Sequence, residues 1–272
     1  ENYQPVVIAA LVQNGGSATR KELKIQLQKA NPERDLDHFS QCPAFDIITR
    51  SVERVGNVLY NGDKIAELLR DNDTFRMLDF DSYTNTQKAW ILVECALKDK
   101  EKRELLEQSV KRTNEEIETT PRLTTEKKQV LKDYSRNFFT SKFTRQKLLE
   151  FCDYDNNHHW KNISRPAGKI DEKKLPKALK IILNENESVS ERIQKIRDKN
   201  SGDYTSDFSY AIYTPILLVT SNLKHPVINK IVLLAIDKLG FFPKKKFDKL
   251  KDWESVPFLQ EIVQEVANRY EL

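Results

Sequence analysis

The sequence is poor in residues that interrupt helices and in residues that form disulfides or bind zinc. Seven glycines and ten prolines among 272 residues leave long stretches without a helix breaker, and 32% charged residues supply solvated outer faces. The three cysteines, Cys42, Cys95 and Cys152, lie far apart without a CxxC spacing, which argues against a disulfide framework and a zinc site. A mainly helical protein of the reducing cytoplasm is predicted.

Long hydrophobic runs and a large excess of one charge are also missing. The longest apolar stretches, PVVIAALV and YAIYTPILLV, are much shorter than the roughly 18 to 20 residues that span a bilayer, so no membrane partner is expected. Lysine and arginine exceed aspartate and glutamate by only 45 to 41, so a nucleic-acid contact would need a local basic patch. Because the sequence lacks an initiator Met and a signal-peptide pattern, we expect its start to be trimmed, and it could equally be cut from a longer protein at its end.

Two helices and a tight corner are predicted at the N-terminus. Apolar residues recur at helical spacing in PVVIAALVQ, and Gly15 supplies the left-handed residue that ends this helix. Thr19 and Glu22 form a capping box that starts a second helix. The buried stripe of the second helix is expected to consist of three residues: Leu23, Leu27 and Ala30.

A third helix and a hairpin complete the order of a winged helix-turn-helix. The segment AFDIITRSVERV has apolar residues on one face, and the β-rich pieces NVLY, KIAELL and TFRMLDF follow, separated by Asn-Gly and Asp-Asn-Asp turn signals. Three helices followed by a small β-hairpin are typical of a winged helix, in which the hairpin is the wing. Residues 1–85 are therefore predicted to form a winged-helix domain.

The rest of the chain is predicted to be helical. Residues 86 to about 112 contain neither glycine nor proline, which predicts one long helix leaving the first domain, and a charged connector broken at Pro121 follows. Helical periodicity returns in segments such as LPKALKIIL and PVINKIVLLAIDKLG. We predict a connecting helix and linker over 86–122 and an all-helical domain over 123–272.

The winged-helix interpretation assigns candidate DNA-binding residues. The third helix of this fold usually enters the major groove, which makes Thr49 and Arg50, with Arg54 beside them, candidates for contacts with DNA bases. Asp46 and Glu53 lie on the same helix, and the cytosine amino group is the one base group in the major groove that would favour their carboxylates. The alternative, in which this helix contacts a protein and not DNA, therefore stays open. Cations that could neutralise phosphates lie on the second helix and around the wing turn: Arg20, Lys21, Lys24, Arg70 and Arg76.

A second basic segment, FFPKKKFDKLKDW at 241–253, alternates lysines with aromatic residues. Cations and aromatic rings together can follow a nucleic-acid backbone and stack on an unpaired base, which makes Lys244, Lys245 and Lys246 candidates. In the alternative interpretation the lysines are solvated and the aromatic rings pack inward.

Catalytic motifs are weak in this sequence. The segment CDYDNNHHW at 152–160 contains His158 and His159, but adjacent histidines diverge and make a poor metal site. A nuclease-like ExK motif at 172–174 lies in residues that are predicted to be loop and helix. The sequence has no P-loop motif. No catalytic residue, metal or cofactor is predicted. An endonuclease with an unrecognised metal-dependent site would use acids such as Asp153, Asp155 and Glu172.

Two parts of the chain resemble regions of prokaryotic restriction proteins. The Tyr3–Pro5 start, the Gly15–Gly16 corner and the Leu78–Asp81 segment resemble a winged-helix module at the front of such proteins, including HNH-type endonucleases. Residues around Tyr213–Leu217 and Pro226–Lys230 resemble a helical accessory region that precedes the motor in McrB-type GTPases.

The resemblance implies a DNA-recognition part whose cleavage is supplied by another domain or subunit. By analogy, Asn229 and Lys230 at a helix start could contact phosphate, or Asn229 could cap its own helix. We therefore expect a cytoplasmic module that binds double-stranded DNA and acts with a nuclease or motor partner. An endonuclease and a protein-interaction adaptor are the alternatives, and whether the chain is an enzyme stays open.

Overall fold

The computed structural model of the chain describes residues 4–30, 32–33, 66–69, 74–77, 79–119, 129–152 and 167–271. Helices make up most of these residues, and a small antiparallel sheet lies near the N-terminus. The prediction of a mainly helical protein is therefore confirmed. None of the described helices combines the length and the apolar character needed to cross a membrane.

The chain divides into two compact units, and each is discontinuous in sequence. The first consists of Glu1–Gln108, Ile236–Lys244 and Glu265–Leu272, and the second of Ser109–Ala235 and Lys245–Gln264. The boundaries predicted at residues 85 and 122 place 86–108 in a connector, whereas these residues pack with the first unit.

Two helices joined by a tight corner begin the first unit. α1, Gln4–Gln13, is buried along its predicted apolar face, and α2, Arg20–Ala30, buries Leu23 and Leu27. Ala30, expected in the buried stripe, is exposed at the last position of α2. Between the helices, Gly15 and Gly16 have φ angles of 76° and 90°, which a residue with a side chain adopts only with strain.

Three short strands form an antiparallel sheet in the first unit. In chain order they are β1 (Ser17–Thr19), β2 (Ala66–Leu69) and β3 (Thr74–Met77). The spatial order is β1-β3-β2, and Ser17 lies opposite Arg76. The backbone N–H of Met77 donates to the Gly16 carbonyl at 2.7 Å, which ties the corner to β3. The sequence did not indicate β1, because three residues are too few for a readable alternation.

The segment after the sheet contains two helices where one long helix is predicted. A 3₁₀ turn (Phe80–Ser82), α3 (Asn85–Leu97) and α4 (Lys100–Thr119) follow one another. The Asp99 carboxylate accepts hydrogen bonds from the backbone N–H groups of Glu101 and Lys102 at 3.1 and 3.3 Å. An aspartate in this position caps a new helix, which is why the helical run is interrupted there.

Residues from the C-terminal part of the chain complete the first unit. Gln13 Nε2 donates to the carbonyl oxygens of Gly240 and Phe241 at 2.9 and 3.2 Å, across 227 and 228 residues. Arg269 Nη1 donates to Glu94 Oε2 at 2.7 Å. The ends of the described chain therefore share one compact unit.

No strand occurs among described residues 129–152 and 167–271, and of these the ranges 129–152, 167–235 and 245–264 belong to the second unit. Besides a helical stretch at 129–133, the helices are α5 (Arg136–Thr140), α6 (Arg145–Cys152), α7 (Leu175–Ile182), α8 (Val189–Arg197), α9 (Tyr210–Thr220), α10 (Lys230–Lys238), α11 (Lys244–Phe247) and α12 (Asp252–Arg269). One aromatic cluster joins α5 and α6 through edge-to-face contacts of Phe139 and Phe151, an arrangement that rings prefer to face-to-face stacking.

A buried threonine positions the start of α10 within the second unit. Thr214 Oγ1 donates to the Tyr210 carbonyl at 2.7 Å and accepts a hydrogen bond from the Ile228 backbone N–H at 3.0 Å. Gln260 Nε2 donates to the Pro226 carbonyl at 2.8 Å. The segment before α10 is therefore held by side chains on both α9 and α12.

Candidate nucleic-acid interface

Four of the predicted DNA-binding residues lie outside the described part of the chain. These are the candidates on the predicted third helix and at the wing turn: Thr49, Arg50, Arg54 and Arg70. Asp46 and Glu53, which weaken the base-reading interpretation, also lie outside it. The assignments of these residues stay predictions.

The start of α2 has the predicted capping box. The backbone N–H and the hydroxyl of Thr19 each donate to Glu22 Oε2 at 2.8 Å, and the Glu22 N–H donates back to Thr19 Oγ1 at 3.3 Å. The box satisfies backbone donors that would otherwise be unpaired at the helix start. It also engages the only acidic residue in the first turn of α2.

The three predicted cations of α2 share one side of the helix. Arg20 and Lys24 are one turn apart and border the buried stripe, while Lys21 is exposed beside them. The Arg20 guanidinium carbon lies 5.4 Å from the centroid of the Phe75 ring, and this cation–π contact orients the side chain. Lys29 lies two and a half turns from Arg20 and therefore points the opposite way.

The sheet separates Arg76 from this cluster. Side chains alternate between the faces of a strand, and in β3 the buried Phe75 and Met77 face inward while Arg76 is exposed. Because Arg20 packs on Phe75, the two arginines lie on opposite faces of β3. The structure thus places Arg20 directly after β1 and Arg76 in the neighbouring strand β3, but directs their side chains to different surfaces.

A polar face of the sheet surrounds Arg76. The residues of β1 and β3 on this face are Ser17, Thr19, Thr74 and Arg76, because Ser17 is paired with Arg76 and Thr19 with Thr74. Hydroxyls and arginine are among the side chains that contact phosphates in protein–DNA complexes. Ser17 is not a candidate on the basis of sequence alone, because only the strand pairing places it beside Arg76.

Asn229 caps α10. Its Oδ1 accepts hydrogen bonds from the backbone N–H groups of Ile231 and Val232 at 2.9 and 3.0 Å, as in the alternative weighed from the sequence. A phosphate at this helix start would compete with the asparagine for the same donors. Lys230 is exposed at the first position of the helix.

Three of the four aromatic residues of 241–253 pack inward, as the alternative interpretation expects, and Trp253 is half-buried. Phe241, Phe242 and Phe247 are buried, and the Phe247 ring lies edge-on to Tyr210 with 5.4 Å between centroids. These rings are therefore not available to stack on an unpaired base. Three lysines on α11 remain at the surface to different degrees: Lys244, Lys245 and Lys246.

Only part of the candidate endonuclease site lies in the described residues. No group of three or more His, Cys, Asp or Glu side chains there could hold a metal ion. Glu172 lies exposed in the turn before α7, and Asp153, Asp155 and the two histidines of CDYDNNHHW fall outside the described ranges.

The chain was compared with protein-family models, curated proteins and solved structures, and none of the three comparisons found a match.

Proposed function

We propose that the first unit is a winged-helix module that binds double-stranded DNA. In this proposal the chain acts in the cytoplasm as the recognition part of a restriction or defence system, and a nuclease or motor domain or subunit supplies cleavage. The observation that carries the proposal is the sheet order β1-β3-β2, with β1 placed between the first two helices.

This topology supports a winged helix more specifically than helical content does. β1 lies between α1 and α2, and β2 and β3 form an antiparallel pair, as the hairpin of a wing would, with Leu69 opposite Thr74. The predicted third helix, AFDIITRSVERV, falls between α2 and β2 in sequence, where a winged helix has its recognition helix.

The charges of α2 support DNA as the partner. Arg20, Lys21 and Lys24 form a local basic patch, while the nearest acid, Glu22, is engaged in the capping box. Each lysine or arginine that neutralises a phosphate releases a counterion, and it makes the slope of log K against log salt more negative by about 0.9. Binding through this patch would therefore weaken as salt is added.

Fluorescence anisotropy of labelled duplexes at two salt concentrations tests the proposal. Lys24→Glu should weaken binding to every duplex, and it should make the slope of log K against log salt less steep by about one. Lys29→Glu makes the same charge change on another side of α2 and is the matched control. Equal behaviour of the two variants would remove α2 from the interface.

A second arm tests base recognition by the predicted third helix. Arg50→Glu with Arg54→Glu should abolish the preference for one duplex class, whether that class is defined by sequence or by methylation. Absence of duplex binding at low salt would overturn the DNA proposal in favour of a protein-interaction adaptor. Mg²⁺-dependent cutting of plasmid by the chain alone would instead indicate an endonuclease.

A further inference from the structure

One side of α7 in the second unit carries lysines and no carboxylate. The inward residues Leu175, Ala178, Leu179 and Ile182 are fully buried, and no residue of the helix is acidic. The Leu175 N–H donates to the Asp171 carbonyl at 3.0 Å. This is the hydrogen-bond spacing of an α-helix, so the turn before α7 extends the helical path towards the N-terminus.

The lysines of α7 and its preceding turn therefore recur on one exposed face. Lys173, Lys177 and Lys180 lie at i, i+4 and i+7, the spacing of residues that are stacked along a helix. Lys169 is exposed in the turn just before them. We call these four residues the lysine face.

Few carboxylates neutralise the lysine face. Lys177 Nζ forms an ion pair with Asp203, and the Asp171 carboxylate accepts a hydrogen bond from the Lys173 backbone N–H at 2.9 Å. Asp171 and Glu172 fall outside the Lys173–Lys180 row in a helical projection. The ammonium groups of Lys169, Lys173 and Lys180 make no ion pair with the described residues.

A side chain from a second helix holds the backbone next to the lysine face. Arg145 at the start of α6 donates two hydrogen bonds to the Ile170 carbonyl, from Nε at 3.1 Å and from Nη2 at 2.8 Å. Ile170 is buried and directly follows Lys169. The turn that carries Lys169 and Lys173 is thus fixed to a second helix, so the lysines are presented from an ordered backbone.

We propose that the lysine face binds the sugar–phosphate backbone of duplex DNA, as a second contact besides the first unit. The choice of duplex DNA as the partner rests on the proposed function, whereas the position of the lysine face in the fold does not. Protein interfaces are depleted in lysine and enriched in aromatic residues, and the lysine face has no aromatic residue. Without rings on which bases can stack, it also lacks the feature that single-strand binding uses.

The length of the row fits a phosphate backbone. At about 1.5 Å per residue, Lys173 to Lys180 cover about 10 Å of helix. A DNA strand carries one charge per about 3.4 Å of its axis, so about three phosphates lie alongside such a length. The contact is independent of base sequence, and it would extend the footprint of the protein without adding specificity.

Two charge-reversal variants and lysine footprinting test this surface. Lys173→Glu with Lys180→Glu leaves the Lys177–Asp203 ion pair in place, and Lys199→Glu with Lys224→Glu is the control on exposed lysines of the same unit. Between about 50 and about 200 mM salt, losing two phosphate contacts should reduce the salt-induced drop in duplex affinity by about tenfold. In the unaltered chain, acetylation of Lys173 and Lys180 should slow when duplex is present, while that of Lys199 and Lys224 should not.

The outcomes separate this surface from the first unit. The proposal for the lysine face would be overturned if both double variants had equal affinity and salt slope and duplex did not protect Lys173 and Lys180. This holds even where Lys24→Glu weakens binding. Weaker binding by the lysine-face variant alone, with Lys24→Glu unchanged, would support the lysine face and overturn the role proposed for α2. Absence of any duplex binding at low salt would overturn both.

Discussion

The ring of Phe80 lies directly against the backbone of Gly16. A Cβ atom added at residue 16 would stand 2.5 Å from Phe80 Cγ, closer than packed carbon atoms approach. Gly16 also has a φ of 90°. The second glycine of the NGG corner is therefore required by both the backbone conformation and the packing.

Gly16→Ala should lower the free energy of unfolding of the first unit by about 2 to 4 kcal/mol, because left-handed strain adds to overpacking. Gly15→Ala is the matched control, since Gly15 also has a positive φ but no atom within 4 Å of its added Cβ; we expect a loss of about 1 to 2 kcal/mol. Urea unfolding monitored by circular dichroism measures both. Equal losses would show that the Phe80 ring moves aside without cost.

Thr214→Val should lower the free energy of unfolding by about 1 to 3 kcal/mol, because a methyl group replaces the hydroxyl that accepts the buried Ile228 N–H. Thr220→Val on the same helix is the control, since Thr220 only donates to backbone carbonyls of its own helix. Its effect should stay within about 0.5 kcal/mol. Urea unfolding compares the two, and faster hydrogen exchange at Ile228 in Thr214→Val alone would identify the broken bond.

Arg269→Met should destabilise the first unit in a manner that depends on pH. Burial alone would raise the pKa of the Glu94 carboxyl, but hydrogen bonds from Arg269 and Lys98 outweigh burial and leave this pKa below its ordinary value of 4.5. A lowered carboxyl pKa stabilises the folded state above the unfolded value, and this stabilisation is lost as pH falls through the folded pKa. The variant should lose about 1 to 2 kcal/mol at neutral pH.

The loss should shrink as pH falls below 4.5 and through the lowered folded pKa of Glu94, because protonation of this carboxylate removes its charge interaction with Arg269. Glu265 acts in the same direction, because burial raises its pKa even though Arg269 lowers it; removing Arg269 therefore costs stability only where Glu265 is charged, and this cost also disappears as pH falls. Thermal unfolding at several pH values measures how the loss changes. The control, Lys111→Met, removes an exposed pair with Glu115 at 3.8 Å and should change little. A loss in Arg269→Met that is independent of pH would contradict the role of the Glu94 charge.

Cys95 and Cys152 should resist alkylation in the folded protein. Both are buried, and burial raises the pKa of the Cys95 thiol, so the reactive thiolate is scarce. Iodoacetamide labelling followed by peptide mass spectrometry should find these two cysteines modified only after denaturation. Rapid labelling of Cys95 under native conditions would mean that α3 opens locally.

Features set by neighbouring residues were the ones that the sequence could predict. The Thr19–Glu22 capping box and the left-handed Gly15 depend on a few adjacent residues, and both are present. The interruption by Asp99 was also a local signal, but it stood inside a run without glycine or proline and was not recognised. Cap residues therefore deserve the same weight as helix breakers when long helices are predicted.

Features set by distant residues could not be predicted. The pairing of Ser17 with Arg76 places a hydroxyl beside a predicted phosphate ligand, and the same sheet turns Arg20 and Arg76 to opposite surfaces. Alternation predicts which residues share a face of one strand, but not which strands pair. The burial of Phe247 likewise depends on Tyr210, which lies on a separate helix.

The bond from Gln13 to Gly240, across 227 residues, has a consequence for the order in which the chain folds. A ribosome makes α1 and the sheet long before it makes Ile236–Lys244 and Glu265–Leu272, which belong to the same unit. Contacts this distant in sequence are formed late and slow folding. The first unit therefore cannot reach its final packing during early synthesis, and a nascent chain carries an unfinished N-terminal core until almost all of these residues have been made.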